Sequence, residues 1–125
     1  MKTITKITTI ILFLFCLMST PCFAADEWTA KDTKYQATFI TLNAVDWLQT
    51  KEIARNPDYH ETNPILGRNP GQNEIDIYFL STTAFHTAVA YYLPRKYRRI
   101  WQCVFIAVEA GYVAHNYNIG VRIQF

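Results

Sequence analysis

The sequence predicts an all-α protein: a signal peptide, then a small three-helix bundle with a transmembrane helical hairpin and a short extended C-terminal tail. Three observations carry this. Residues 30–55 contain neither Pro nor Gly. Ile77 to Leu93 carries no formal charge. A second mostly apolar run, from about Ile100 to His115, follows Pro94 and a basic link. With 125 residues the chain has room for one domain at most.

Lys2 and Lys6 make a short basic start, followed by an apolar run from Ile10 to Met18. Cys22 and Ala24 then stand as small residues at the −3 and −1 positions of a cleavage after Ala24. This is the pattern of a signal peptide, and the apolar run is too short for an ordinary membrane span. Residues 1–24 are therefore expected to be removed, leaving residues 25–125 as a single helical membrane domain. Lipid attachment fits less well, because Cys16 follows Phe15 and Cys22 follows Pro21. Cys103 is the only cysteine beyond residue 24, so no internal disulfide is expected.

The first helix, about Ala30 to Arg55, shows an apolar side of Phe39, Leu42, Val45, Trp47, Leu48 and Ile53. Asn43, Asp46 and Thr50 share the other side by their i, i+3, i+7 spacing. Residues 56–73 hold Pro57, Pro64, Gly67, Pro70 and Gly71, a density of breakers that excludes a helix. Asn73 is the expected N-cap of the second helix, with Glu74 and Asp76 in its first turn facing the positive helix end. Pro94 ends that helix, and Arg95, Lys96, Arg98 and Arg99 form a basic link before the third. The second and third helices are close to the ~20 residues a span needs. Tyr78, Tyr91, Tyr92 and Trp101 lie near their ends, where interfacial aromatics belong.

Without Lys2 and Lys6 the formal charge is zero but unevenly spread, at −4 over residues 25–76 and +4 over residues 77–125. The basic residues are concentrated in the link rather than over a face, which argues against nucleic acid and for a membrane. The positive-inside rule then sets an orientation. The Arg95–Arg99 link is cytoplasmic, the 55–73 loop and the C-terminus are periplasmic, and the first helix lies against the bundle or in the interface. The expected location is the bacterial inner membrane after export.

Candidate chemistry rests on polar residues in apolar company. Glu109 lies near the middle of the third helix, where a charge is costly (~2.5–3.5 kcal/mol on insertion scales) and raises a functional hypothesis. Gln102, Glu109 and Asn116 repeat every seven residues and form one stripe. His86 sits in mid-helix among Thr82, Thr83 and Thr87. Asp46 with Thr50 could meet either His86 or Glu109. The candidate catalytic residues are thus Asp46, Glu61, His86 and Glu109. His60, His86 and His115 are the candidate metal ligands, although their spacing matches no metal-binding motif. No nucleophile elbow is present, Ser81 is the only serine beyond residue 24, and no glycine loop suits a phosphate. No cofactor is expected. The tail alternates Tyr117, Ile119, Val121, Ile123 and Phe125 with polar residues or Gly, the pattern of a closing barrel strand. The alternative is an extended tail packed along the bundle.

Asp46-Trp47-Leu48-Gln49-Thr50, then Glu61-Thr62-Asn63-Pro64-Ile65-Leu66-Gly67, Trp101-Gln102, Glu109-Ala110-Gly111, His115-Asn116-Tyr117 and Ile119-Gly120 span almost all of the chain beyond the leader. In these residues it resembles small exported or membrane proteins of proteobacteria and their phages. It is also similar to small bacterial membrane domains of unknown function that carry an E-x-N-P motif. The resemblance implies a membrane setting and weight on Asp46 and Glu61, and it brings no activity with it.

The expected role is that of a small envelope membrane protein acting as a structural or interaction component. Its partners would be the lipid bilayer and another envelope protein or a second copy of the chain. The alternatives are an intramembrane enzyme or metal-binding protein, and an outer-membrane-associated subunit using the tail. Asn63, Pro64 and Gly67 are the structural motif of the loop. Pro64 holds Asn63 extended, so that Ile65 and Leu66 dip into the bundle or lipid while Glu61 and Asn63 bond to helix ends or to Asp46–Thr50.

Overall fold

The computed structural model describes residues 25–124; the expected signal peptide and Phe125 lie outside the described residues. Three helices make up the fold, and among the described residues there is no strand: α1 (Ala30–Arg55), α2 (Gln72–Tyr92) and α3 (Arg95–Asn118). At 1.5 Å per residue they are about 31 to 39 Å long. The all-α three-helix bundle expected from the sequence is therefore what the chain forms.

The start of each helix has a local cause. The Thr29 hydroxyl accepts from Asp32 N (3.2 Å) while the Asp32 carboxylate accepts from Thr29 N (2.9 Å), a reciprocal capping box. α2 begins at Gln72 with Gly71 as N-cap, slightly earlier than the expected Asn73 cap. Glu74, in the first turn, reaches back to accept from Gly71 N at 2.9 Å. α3 differs more from expectation. Its N-cap is Pro94, so the basic link is the first turn and a half of the helix rather than a connector. Lys and Arg are good helix formers, and Leu93–Pro94 alone suffices to reverse the chain. The C-terminus of α3 closes with paired bonds from Val121 N to Asn116 O (3.0 Å) and Gly120 N to Tyr117 O (3.1 Å). Gly120 has φ +99° there, and an added Cβ would stand 3.1 Å from the Tyr59 hydroxyl, so only glycine fits.

Cross-helix pairs define the packing. α2 is antiparallel to α1: Gln36 meets Thr87, Asn43 meets Thr83, and Trp47 meets Asp76. α3 is parallel to α1: Asp32 meets Arg98, Asn43 meets Glu109, and Asp46 meets Asn116. α1 thus lies along the hairpin for most of its length. Asp26 accepts from Arg95 N, so the start of the described chain shares one end of the bundle with the basic turn. The 56–71 loop and the C-terminal tail share the other. An arrangement with the chain's start on the same side as the loop does not fit this packing.

The bundle is polar inside and apolar outside. Along α1 the buried positions Asp32, Gln36, Phe39, Asn43, Asp46, Thr50 and Ile53 alternate steps of four and three, the spacing of a helix-packing seam, and Gln49 is buried beside Thr50. On α3 the buried set is Arg98, Gln102, Glu109 and Asn116. The seven-residue stripe is thus the inward face. Buried apolar side chains are few, chiefly Phe39, Ile53, Ile75, Phe79 and Val121. Ile40, Leu48, Ile77, Leu80, Phe85, Ile100, Val104 and Val108 are exposed. Among the described residues no helix is long and apolar enough to cross a membrane; α1 and α3 place mostly polar residues along their inward stripes, whereas α2 buries Ile75, Phe79, His86 and Ala90. The alternating tail is not a strand. Val121 is buried beside the helix end and Ile119 is exposed.

At the basic end, Arg98 is fully buried, and its guanidinium ties three segments. Nε donates to Ala90 O (2.8 Å), Nη1 to Asp32 Oδ2 (3.1 Å) and Glu27 O (3.2 Å), and Nη2 to Asp26 O (2.7 Å) and Tyr91 O (3.3 Å). All five donors of the group are used. Arg99 adds a 2.9 Å bond to Asp32 Oδ1, and Gln102 donates to Asp32 O (3.1 Å). Removing Arg98 would leave the Asp32 carboxylate buried with only Arg99 against it. Arg98→Ala is therefore expected to cost about 3–5 kcal/mol of stability, and Arg95→Ala, on an exposed neighbour, within about 0.5 kcal/mol. Chemical denaturation of the two variants in one detergent or buffer checks the difference, and equal losses would contradict it.

Candidate functional site

The 56–71 loop is built by its own polar side chains. Glu61 Oε1 accepts from Thr62 N (2.9 Å) and Asn63 N (2.8 Å). Asn63 Oδ1 accepts from Ile65 N (2.9 Å), which fixes the turn over Pro64. Gly67, at φ +77°, closes it by donating to Asn63 O (3.1 Å). These bonds give E-T-N-P-I-L-G a structural reason for Glu, Asn, Pro and Gly at those positions. The loop reaches the bundle through Asn63 Nδ2, which donates to the Tyr78 hydroxyl in the second turn of α2 (2.8 Å); of the two expected contacts, a helix end or Asp46–Thr50, this is the former. Ile65 does not dip into the bundle; it is 78% exposed.

The same loop carries Glu61 towards the carboxyls of α1 and α3. Asp46 is close enough to Glu109 and Glu61 to feel the charge of both, and Tyr78 feels Glu109 and Asp46. Asp46 Oδ1 accepts from Asn116 Nδ2 (2.9 Å), which also reaches Gln49 Oε1 (3.3 Å). Glu109 Oε1 accepts from Asn43 Nδ2 (3.4 Å), and Asn43 Oδ1 lies 2.8 Å from the Thr83 hydroxyl. Glu109 Oε2 and Glu61 Oε2 are buried with no partner among the described residues. Among the described residues no Lys or Arg forms an ion pair with any of these three carboxyls. Lys51 instead holds Asp76 at 2.8 Å, with Trp47 Nε1 on the same oxygen. Asp76 heads α2 outside its uncharged stretch, and the donors from Lys51 and Trp47 keep its carboxyl below the usual range.

His86 stands apart from that cluster. It is fully buried, stacked on Phe39 (centroids 3.7 Å) and Trp101 (5.5 Å), with Phe105 edge-on at 5.1 Å. Gln36 Nε2 lies 3.2 Å from His86 Nδ1 and donates to Thr87 (2.9 Å), while His86 Nε2 has no partner among the described residues. Thr83 and Thr87 direct their hydroxyls to carbonyls of their own helix. The expected meeting of Asp46 with His86 therefore does not occur; Asp46 bonds instead to Asn116 and Glu109 to Asn43, with no hydrogen bond between the two carboxyls. His60 and His115 are exposed. Among the described residues no group of three or more His, Cys, Asp or Glu could hold a metal ion.

Of the four candidate catalytic residues, Asp46 and Glu109 are buried on the facing sides of α1 and α3, Glu61 sits on the loop with one buried oxygen, and His86 lies apart among aromatic rings. Sequence reasoning placed Asn43 in a stripe with Asp46 and Thr50 but gave it no role, and it missed Tyr78 and Arg98. Arg98 lies one helical turn before Gln102, outside the seven-residue register of Gln102, Glu109 and Asn116, and within a run of basic residues. The amide bonds to Asp46 and Glu109 tie α1 to α3.

Asn116 is the one donor that bridges Asp46 and Gln49, so Asn116→Leu should cost roughly 1–3 kcal/mol by orphaning both acceptors. Glu109→Gln, which keeps the acceptor for Asn43 and removes a like charge beside Asp46, should cost less. Unfolding midpoints of the pair check the order. Comparison with protein-family models, with curated proteins and with solved structures returned no match to this chain.

Proposed function

We propose that the chain is a small membrane-embedded envelope protein, a structural or interaction component whose buried polar residues hold three helices together within the bilayer. The observation that carries this reading is the inverted surface. Charged and amide side chains line the inside, while large apolar ones such as Ile77, Leu80, Ile100, Val104 and Val108 face outward. In water such a surface is unfavourable at roughly 25 cal/mol per Å² of exposed apolar area. Against lipid it is the expected arrangement, with polar groups facing the bundle interior and bonded to one another.

Among the described residues no single helix is apolar enough to cross alone. Insertion on this reading is a property of the packed bundle, in which the polar stripes of neighbouring helices satisfy each other. Tyr91, Tyr92 and Tyr97 stand exposed at the basic end, and Tyr117 at the other, as interfacial aromatics do. The resemblance to E-x-N-P membrane domains agrees with this setting.

The orientation we propose keeps the 55–73 loop and the C-terminal tail periplasmic, with Lys31, Lys34, Arg95 and Lys96 at the cytoplasmic end. Because Asp26 and Arg95 share that end, this orientation and the export of a cleaved N-terminus are mutually exclusive.

A second reading, in which the site exchanges protons, rests on the burial of Asp46 and Glu109 on facing sides of α1 and α3 and on the one buried oxygen of Glu61. Asp46→Asn and Glu109→Gln chains that accumulate normally yet lose their cellular phenotype would favour it over a purely structural role.

With Cys16 and Cys22 replaced by Ser, Cys103, exposed on α3 between Gln102 and Val104, gives a direct test. In isolated membranes it should resist a water-soluble maleimide, react with a lipid-soluble one, and become reactive to both once the chain is unfolded in detergent. Immediate labelling by the water-soluble reagent would place α3 in water. A Thr62→Cys variant should label from the periplasmic side; labelling only from the cytoplasmic side would favour the cleaved-leader orientation.

A further inference from the structure

At the loop end of the bundle two clefts adjoin. The first, about 480 Å³, lies between α1 and α3, with walls that include Leu42, Val45, Val113, Ala114 and Tyr117. Ile123 of the tail lines it too, because the turn at Gly120 folds the tail back along α3. The second, about 510 Å³, is polar, with Arg55, Asn56, Tyr59 and Gln124 among its lining residues. Val121 and Arg122 line both. An apolar slot thus continues into a polar one, with a guanidinium where they meet.

Arg122 is built into that position. Its guanidinium lies 3.8 Å from the centroid of the Tyr117 ring. Nη1 donates to Tyr117 O (2.7 Å) and Val121 O (3.0 Å). Among the described residues it has no carboxylate partner, and Nε and Nη2 donate to nothing. In the polar cleft the Glu52 carboxylate is already bound to Arg55 at 2.7 Å, so Arg122 is left as the uncompensated charge. A cation held at the junction of an apolar and a polar cleft matches a phosphate carrying an acyl chain on one side and a hydroxylated headgroup on the other.

We propose that these joined clefts bind one anionic phospholipid, with an acyl chain between α1 and α3, the phosphate on Arg122, and the headgroup against Asn56, Tyr59 and Gln124. The inference rests on the membrane reading for the source of the ligand, but its geometry does not depend on insertion.

The probe is dihexanoyl phosphatidylglycerol, titrated against the purified full chain and followed by native mass spectrometry. Dihexanoylglycerol, which lacks the phosphate, and inorganic phosphate, which lacks the chains, are the comparators. One equivalent of the phospholipid should bind, with both comparators much weaker. Arg122→Gln should weaken it about tenfold, Ala114→Trp should block the apolar slot, and Arg95→Gln, at the far end, should leave it unchanged. Circular dichroism shows whether Ala114→Trp folds; Arg122→Gln, on the exposed tail, decides the matter if it does not. Equal binding of either comparator, no binding by the wild type, or equal losses in Arg122→Gln and Arg95→Gln would overturn the proposal. An inserted chain that fails these tests loses only the lipid site. A chain whose Cys103 is in water but which binds the phospholipid loses only the membrane reading.

Discussion

The structure depends on polar groups that are satisfied across helices rather than within them. Asp32, Gln36, Asn43 and Asp46 on α1 have their partners on α2 or α3, and none of these contacts exists until the bundle closes. A buried polar group left unpaired costs more than its bond returns. Each helix therefore constrains the register of the other two: a slip of one residue would turn the stripe outward and break every layer together. Apolar packing, limited to a few buried residues around Phe39, Phe79 and Ile75, does not impose such a requirement.

The two ends solve the problem differently. At the basic end one guanidinium spends its five donors on Asp32 and four carbonyls, so a charge in the interior is compensated and its neighbours are tied down. Towards the loop end, Asp46 and Glu109 accept from side-chain amides and Glu61 from backbone N–H groups, and among the described residues none of the three pairs with a cation. Uncompensated carboxyls are the less stable arrangement of the two. This lack of a cation is the feature of this fold that packing alone explains least, and it keeps a proton-exchange role alongside the structural one.

The loop shows how a motif that reads as chemistry acquires a mechanical meaning. Glu61 and Asn63 spend most of their bonding capacity on the turn itself, and Gly67 supplies the left-handed residue that ends it. One oxygen of Glu61 is left over, buried beside the bundle. The turn thus acts as a bracket that presents a single carboxylate oxygen to the helices.

The sequence by itself determined three helices, the limits of the first, the breaker-rich loop, and the seven-residue stripe of Gln102, Glu109 and Asn116. Those are local or periodic properties, set by Pro, Gly, caps and repeat spacing. Only the tertiary structure decided which side of each helix faces inward. Hydrophobic patterning assigns the apolar face to the interior, and here Asn43, Asp46 and Thr50 lie there while Leu48 faces out. Arg98 could not be distinguished from Arg95 in a run of basic residues; its burial depends on Asp32 and the Ala90 carbonyl, 66 and eight residues away. That Asp46 bonds to Asn116 and not to His86 likewise follows from the parallel register of α1 with α3, which contacts across the bundle set and no stretch of sequence contains.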